Sequence, residues 1–201
     1  MRLIEPSVEV LDYTHNPLQL IELCGRVCYK SEDKITDDSA ERFVRQILKS
    51  GHESVLEHAK ATVRVVCDRG VSHEIVRHRL ASYSQESTRY CNYKGDIAFI
   101  KPMFSDVSHY QAWLLAMRDA EEKYKLMIAR GAKPEEARSV LPNSLKTEIV
   151  MTMNLREWRH FFKLRLSKRA HPQMREVASL IYTELRRVIP IVFDELEVQD
   201  T

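Results

Sequence analysis

A chain of 201 residues with 44% hydrophobic and 30% charged side chains has the make-up of a soluble globular protein able to bury one sizeable core, so a single domain over residues 1–201 is expected. Its 31 basic and 29 acidic residues leave a formal charge of +2, which excludes a global field for polyanions and confines any anion site to a local cluster. No stretch approaches the roughly 18 apolar residues of a membrane span, and Glu5 and Pro6 interrupt the opening where a signal peptide needs a continuous apolar run, so a cytoplasmic protein with no membrane partner is expected.

Alternation over Arg2–Leu11 predicts a strand, and the apolar spacing of Pro17–Tyr29, carried by Leu18, Ile21 and Val27, predicts a helix. Asp37 or Asp38 starts a second helix whose buried stripe is Phe43, Ile47 and Leu48. Between Ala59 and Cys67, the residues Ala61, Val63 and Val65 alternate with Thr62, Arg64 and Val66, and Asp68 and Gly70 then punctuate a turn. This predicts a strand feeding a helix over Val71–Leu80, followed by a polar loop, SYSQESTRY. His109–Arg130 reads as a long amphipathic helix ended by Gly131, with a new start at Pro134. Thr147–Met153 is a strand, Asn154 caps a helix from Leu155 to about Leu166 with Glu157 at its third position, and Met174–Val188 is the last helix. Five glycines, no repeat and no low-complexity stretch leave no visible linker, and the mix is α+β and helix-rich.

The densest chemistry lies in RHRLASYSQESTRY, Arg77–Tyr90, which sets Arg77, Arg79, Arg89 and His78 among hydroxyl side chains with no glycine or proline. If Val71–Leu80 is helical, Arg77 and Arg79 project about 200° apart, which suits two anions approaching from different sides. Ser82, Ser84, Gln85, Ser87 and Thr88 offer hydroxyl and amide donors suited to a phosphate and a pyrimidine edge. A solvated face with Glu74 paired to Arg77 is the plainer alternative for the helix taken by itself. His73-Glu74-Ile75-Val76-Arg77-His78 misses the zinc-protease pattern, because histidines five apart are rotated about 140° from each other on a helix. GHESVLEH, from Gly51, lacks a third ligand at metal spacing and reads as a capped helix start. The four cysteines, Cys24, Cys28, Cys67 and Cys91, form no C-x-x-C pair, so free reduced thiols and no metal site are expected.

In NLREWRHFFKLR, from Asn154, Arg156 and His160 share one helix face beside the Asn154 amide, whereas Arg165 falls on the opposite side near Phe161 and Phe162. An arginine there is expected to be partly enclosed, or else to snorkel over core surface. A rival function class also starts here. Leu155–Arg187 holds nine Lys and Arg against three Glu, a local +6, with Trp158, Phe161 and Phe162 interleaved, as in an RNA-binding module. The aromatics fall at core spacing, and that reading leaves Arg77–Tyr90 unexplained.

Six positions of Arg77–Tyr90 (Arg77, His78, Arg79, Ser87, Arg89, Tyr90) fit one spaced pattern, each with a chance of about one in 20 at ordinary residue usage. The pattern resembles the signature of the flavin-dependent thymidylate synthases, which methylate dUMP with reduced flavin and methylenetetrahydrofolate. Segments around His52, Arg138 and Asn154–Arg165 resemble the family in the same order, so the likeness spans Gly51–Gln173. It implies that Arg77, His78, Arg79, Gln85, Ser54, Asn154, Arg156 and His160 contact FAD, and that His52 lies near flavin and folate. It assigns Glu74, Arg77, Gln85, Glu86, Ser87, Arg89, Arg138 and Arg165 to dUMP, with Arg165 helping to ionise the ring N3. The family often has an acidic residue where this chain has Gln85, and here Glu86 follows it. The resemblance further implies a mostly antiparallel sheet, a homotetramer with sites between subunits, NADPH and 5,10-methylenetetrahydrofolate as cosubstrates, and no nucleic-acid partner. No G-x-G-x-x-G is present, so NADPH is expected to visit the flavin site transiently. No enzymic nucleophile is expected, since Ser87 has no sequence-adjacent histidine and the cysteines have no activating pattern.

Overall fold

A computed structural model describes residues 1–93, 95–194 and 196. In chain order the elements are β1 (Arg2–Ile4), β2 (Ser7–Tyr13), α1 (Pro17–Val27), α2 (Ser39–Lys49), β3 (Lys60–Asp68), α3 (Arg69–Ile75), β4 (Ala81–Gln85), β5 (Ala98–Ile100), α4 (Val107–Ala129), α5 (Pro134–Ala137), β6 (Lys146–Asn154), α6 (Leu155–Arg165) and α7 (Pro172–Val188). Short 3-10 turns occupy Glu32–Lys34, Glu53–His58 and Arg138–Val140. The fold is α+β and helix-rich. β1 pairs in parallel with β5, and a four-stranded sheet runs in the order β2-β3-β6-β4. The sheet is mostly antiparallel: Thr62 meets Thr152 across β3 and β6 while the Arg69 amide reaches the Leu145 carbonyl, so the two strands run in opposite senses.

Two compact units divide the chain, one from Met1–Ser7, Val65–Arg77 and Ser84–Ile149, the other from Val8–Arg64, His78–Tyr83 and the chain from Val150 onward. Four of their five boundaries fall inside β2, β3, β4 and β6 and the fifth between Arg77 and His78, none of them at a change of composition, which is why no linker shows in the sequence. The first unit closes over Ile97, Phe99, Met117, Tyr124, Ala137 and Leu145. In the second, Trp158 and Phe162 stack, Phe161 meets both edge-on, and Phe162 also packs edge-to-face on Tyr182 and Phe193. α1 and α2 approach closely at Gly25, where a Cβ would lie 2.5 Å from Phe43 Cζ, and the Ser39 hydroxyl donates to buried Glu22 at 2.7 Å.

Two expectations fail in the Arg77–Tyr90 segment. The helix predicted to Leu80 ends at Ile75, tightened by a Val76 amide shared between the Ser72 and Glu74 carbonyls. Ala81–Gln85 is a strand rather than a loop, because the segment pairs with β6, a distant partner that local periodicity cannot reveal. Arg77 and Arg79 are both exposed, and both lie beyond the end of the helix. The predicted first strand is also split by Glu5 and Pro6 into β1 and β2. β3, α1, α2, α4, β6, α6 and α7 form where their spacing predicts, within a few residues.

Candidate active site

In the second unit, α6 is fixed at both its backbone and its core face. The Leu155 amide donates to the Ala59 carbonyl at 2.8 Å and the Trp158 indole N–H to the Ala61 carbonyl at 3.1 Å, hanging the helix from β3 and the residue before it. Asn154 caps α6 as predicted, its side-chain oxygen accepting the Glu157 amide at 2.8 Å. A full capping box would turn the Glu157 carboxylate back to the cap. Instead this buried carboxylate meets His78 Nδ1 at 3.2 Å.

His78 is buried in the short connection between α3 and β4, and its imidazole lies along one stripe of α6. Glu157, Phe161 and Arg165 follow at intervals of four, so they share that stripe. The ring packs on Phe161 with centroids 4.9 Å apart and lies 5.8 Å from the His160 ring. Arg165, part-buried as predicted, donates from Nε to His78 Nε2 at 3.1 Å. The Tyr83 hydroxyl donates to the His78 carbonyl at 2.7 Å, and burial pushes this phenol up to about 12. Burial also lowers the His78 pKa, overcoming the opposing pull of Glu157. Arg165 and His160 leave α6 on different sides, yet both reach His78.

His78, Glu157 and His160 have ligand atoms within 4.8 Å of one another, a grouping that separate sequence segments had hidden. The hydrogen bonds argue against a metal there. Both nitrogens of His78 are committed, and a guanidinium faces the one that carries a lone pair.

On the other face of α6 a cavity of about 560 Å³ opens between the helix and the Glu53–His58 turn. Arg156, His160, Lys163 and the Asn154 amide line one wall, and Glu53, Glu57 and Leu80 line the rest with Glu157. Arg156 pairs with Glu57 at 2.5 Å, and Lys163 with Glu53 at 3.5 Å. The Glu53 carboxyl titrates below the usual carboxylate range: burial opposes this, but the charges and hydrogen bonds of Arg159 and Lys163 outweigh it. Ser54 is exposed on the same turn and His52 just before it, while Arg79 is exposed beside Leu80.

The first unit carries the other predicted positions. Gln85 and Glu86 point different ways: the Gln85 amide donates to Ser72 Oγ at 2.9 Å and Thr147 Oγ1 at 3.2 Å. Glu86 accepts from the Tyr93 hydroxyl at 2.5 Å and from Lys146 at 2.9 Å. Ser87 shapes the next turn, its hydroxyl accepting the Arg89 amide at 3.3 Å. Arg138 reaches Thr88 at 3.3 Å and Arg89 lies 3.8 Å from Glu135, so two guanidiniums gather at this turn. Glu74 and Arg77 close the end of α3, Arg77 Nε donating to the His73 carbonyl at 3.3 Å.

The profile of the family described as thymidylate synthase complementing protein matches residues 9–191. The chain belongs to this family. It is 38% identical over 192 residues to the flavin-dependent thymidylate synthase of Pyrococcus furiosus, covering 90% of this chain and 79% of that one. To the flavin-dependent thymidylate synthase of Geobacter sulfurreducens it is 36% identical over 198 residues, covering 93% and 85%. The crystal structure of the UMP/dUMP methylase PolB from Streptomyces cacaoi, bound with 5-Br dUMP, superposes with a TM-score of 0.82 at 26% identity, covering 96% of this chain and 95% of that one.

The α6 cavity could hold an anionic cofactor. Its size falls in the roughly 300–1,000 Å³ range of ligand sites, and Arg156, Lys163 and His160 carry donors beside the Asn154 amide, Arg156 and Lys163 being paired here with Glu57 and Glu53. Sequence reasoning missed Glu157 as a side-chain partner, as well as Tyr83, Lys163, Glu53 and Glu57. It also missed Arg69, whose buried Nη1 has no hydrogen-bond partner among the described residues. Only Glu157 gave a local signal, and that signal pointed to a cap.

Proposed function

We propose that this chain is a flavin-dependent thymidylate synthase that converts dUMP to dTMP, residues 1–201 acting as one domain in a cytoplasmic homotetramer. The family match over residues 9–191, with the Arg77–Tyr90 pattern complete, carries this reading. In the reaction one carbon leaves 5,10-methylenetetrahydrofolate and bonds to C5 of dUMP, the C5 proton departs, and a hydride turns the methylene into a methyl group. FAD, reduced by NADPH, supplies that hydride when bound. Asn154, Arg156 and His160 hold the flavin, with Ser54, Gln85 and the Arg77–Arg79 stretch as further contacts and His52 near flavin and folate.

Uracil C5 is a weak nucleophile, and a cation beside N3 favours the anionic ring and raises electron density at C5. Arg165 takes that role. Arg77, Arg89 and Arg138 supply charge for the phosphate, and Glu74, Gln85, Glu86 and Ser87 line the nucleotide. The gathering of Arg89 and Arg138 at the Ser87–Thr88 turn supports the phosphate assignment. An enzymic nucleophile is unnecessary, and the one fully buried thiol, Cys67, is pushed up to about 12 by burial, far from a reactive thiolate. All four cysteines are free. The RNA-binding alternative loses its stacking platform, since Trp158, Phe161 and Phe162 are at most 1% exposed.

Supplied anaerobically with FAD, NADPH, methylenetetrahydrofolate and dUMP, the purified protein is expected to form dTMP by liquid chromatography, and to stop when any of the three small substrates is withheld. Light scattering of the FAD-loaded protein is expected to report a tetramer. A folded protein that takes up FAD yet makes no dTMP would sink the reading.

A further inference from the structure

We propose that His78 is a positioning residue: locked between Glu157 and Arg165 as the neutral Nδ1–H tautomer, it fixes the guanidinium that addresses the pyrimidine ring. The inference rests on the Arg165 role proposed above and gives the His78 side chain a duty apart from flavin contact.

The tautomer follows from the donors. An arginine Nε–H only donates, so the Nε2 atom 3.1 Å away must present its lone pair, and the ring proton sits on Nδ1. That proton then points at Glu157 Oε1, 3.2 Å away. Carboxylate, neutral ring and guanidinium form one chain with both ends charged and the middle neutral. The ring has little freedom to turn, because it packs on Phe161 and its own carbonyl accepts from Tyr83.

A second proton on His78 would set an imidazolium N–H against the Arg165 Nε–H, and that N–H would lose this acceptor. The charged or titratable groups that face the ring are Glu157, Arg165, His160 and Tyr83, and burial with Arg165 keeps it neutral below the ordinary histidine value of 6.5. The sign is fixed by linkage. Below 6.5 the unfolded chain takes up this proton before the folded one, so the contribution is full above 6.5 and is lost as pH falls through the lower folded value.

The direct test is nitrogen NMR of the FAD-loaded protein labelled with ¹⁵N-histidine, the His78 signals assigned by their loss in His78→Gln. A neutral ring protonated at Nδ1 at neutral pH is expected; an Nε2–H ring or an imidazolium would overturn the proposal. In parallel, dUMP and FAD binding are measured by calorimetry in wild type, His78→Leu and His78→Gln. His78→Leu, with no acceptor, is expected to weaken dUMP binding to the FAD-saturated protein about tenfold, the loss of one charge-assisted contact. His78→Gln, whose amide oxygen replaces the acceptor, is expected to recover much of that loss. Unchanged dUMP affinity in both variants, or loss of FAD alone, refutes positioning. Should His78→Leu fail to fold, the wild-type tautomer and His78→Gln still decide. A wild type that binds no dUMP while showing the expected tautomer would instead refute the proposed function and leave the Glu157–His78–Arg165 geometry standing.

Discussion

Replacing Arg165 by alanine separates the chemistry of the nucleotide ring from the stability of the fold. Two losses are expected, and they differ in size and readout. In the reacting complex the guanidinium faces a developing anion, and removing such a contact costs about 3 kcal/mol, or roughly 100-fold in kcat/KM. In the resting protein the change strips His78 Nε2 of its donor at 3.1 Å. An abandoned buried acceptor costs about 1–3 kcal/mol, and because Arg165 is only part-buried, water can reach the gap and hold the cost near the low end. For a chain of this size about 1 kcal/mol lowers Tm by roughly 2–4 °C. The expected result is a protein that melts a few degrees early, takes up FAD as the wild type does, and forms dTMP about two orders of magnitude more slowly. Single-turnover dTMP formation at saturating FAD, beside a thermal melt and an FAD titration, measures all three. Near-normal turnover in the folded variant, or FAD affinity falling in step with activity, would refute the assignment.

Arg156→Ala is the complementary case: its partner Glu57 is exposed, so stability should move by less than about 1 kcal/mol while FAD affinity falls before dUMP affinity does, as calorimetry of both ligands would show. Asn154→Ala should cost about 1 kcal/mol through the lost cap, seen as a lower Tm, whereas Asn154→Asp should keep the cap and weaken FAD by placing a carboxylate in the cavity. With Cys24, Cys28 and Cys91 changed to serine and buried Cys67 to alanine, dUMP methylation should persist, and mass spectrometry of quenched turnover should find no nucleotide on Cys91 or Ser87. Ser87→Ala should be impaired but active, since the Ser87 hydroxyl holds the Arg89 amide at 3.3 Å rather than attacking substrate; complete loss of turnover in a folded variant would contradict this.

Most of the fold was legible wherever one face of an element is apolar and the other is not. β3 buries Ala61, Val63, Val65 and Cys67 in strict alternation, and α6 buries Trp158, Phe161 and Phe162 behind a polar cap, so local period and local structure agree. The failures cluster in Arg77–Gln85. There the strand β4 forms from Ser82, Tyr83, Ser84 and Gln85 by pairing with a partner about sixty residues away, and nothing in a run of hydroxyls announces a distant edge. The helical reading of the two arginines extends the preceding apolar spacing five residues too far, to Leu80 where the helix ends at Ile75. Once α3 ends, Arg77 and Arg79 turn outward, and the histidine between them is the residue that goes inside.

That reversal changes what the Arg-His-Arg string means physically. Two exposed guanidiniums flanking a buried imidazole alternate as residues do along an extended chain, where neighbours face opposite ways. The inward residue needs a partner for each nitrogen, and the fold supplies an acid from the first turn of α6 and an arginine from its last. Sequence reading found Glu157 by its place three residues after a capping asparagine and Arg165 by its place on a half-apolar face. It could not join them, because the link is a ring contributed from a segment 79 residues before Glu157 and 87 before Arg165. A capping motif and a catalytic candidate thus become parts of one hydrogen-bonded chain only in three dimensions. The geometry of that chain makes the charge state of His78 a condition for the placement of Arg165.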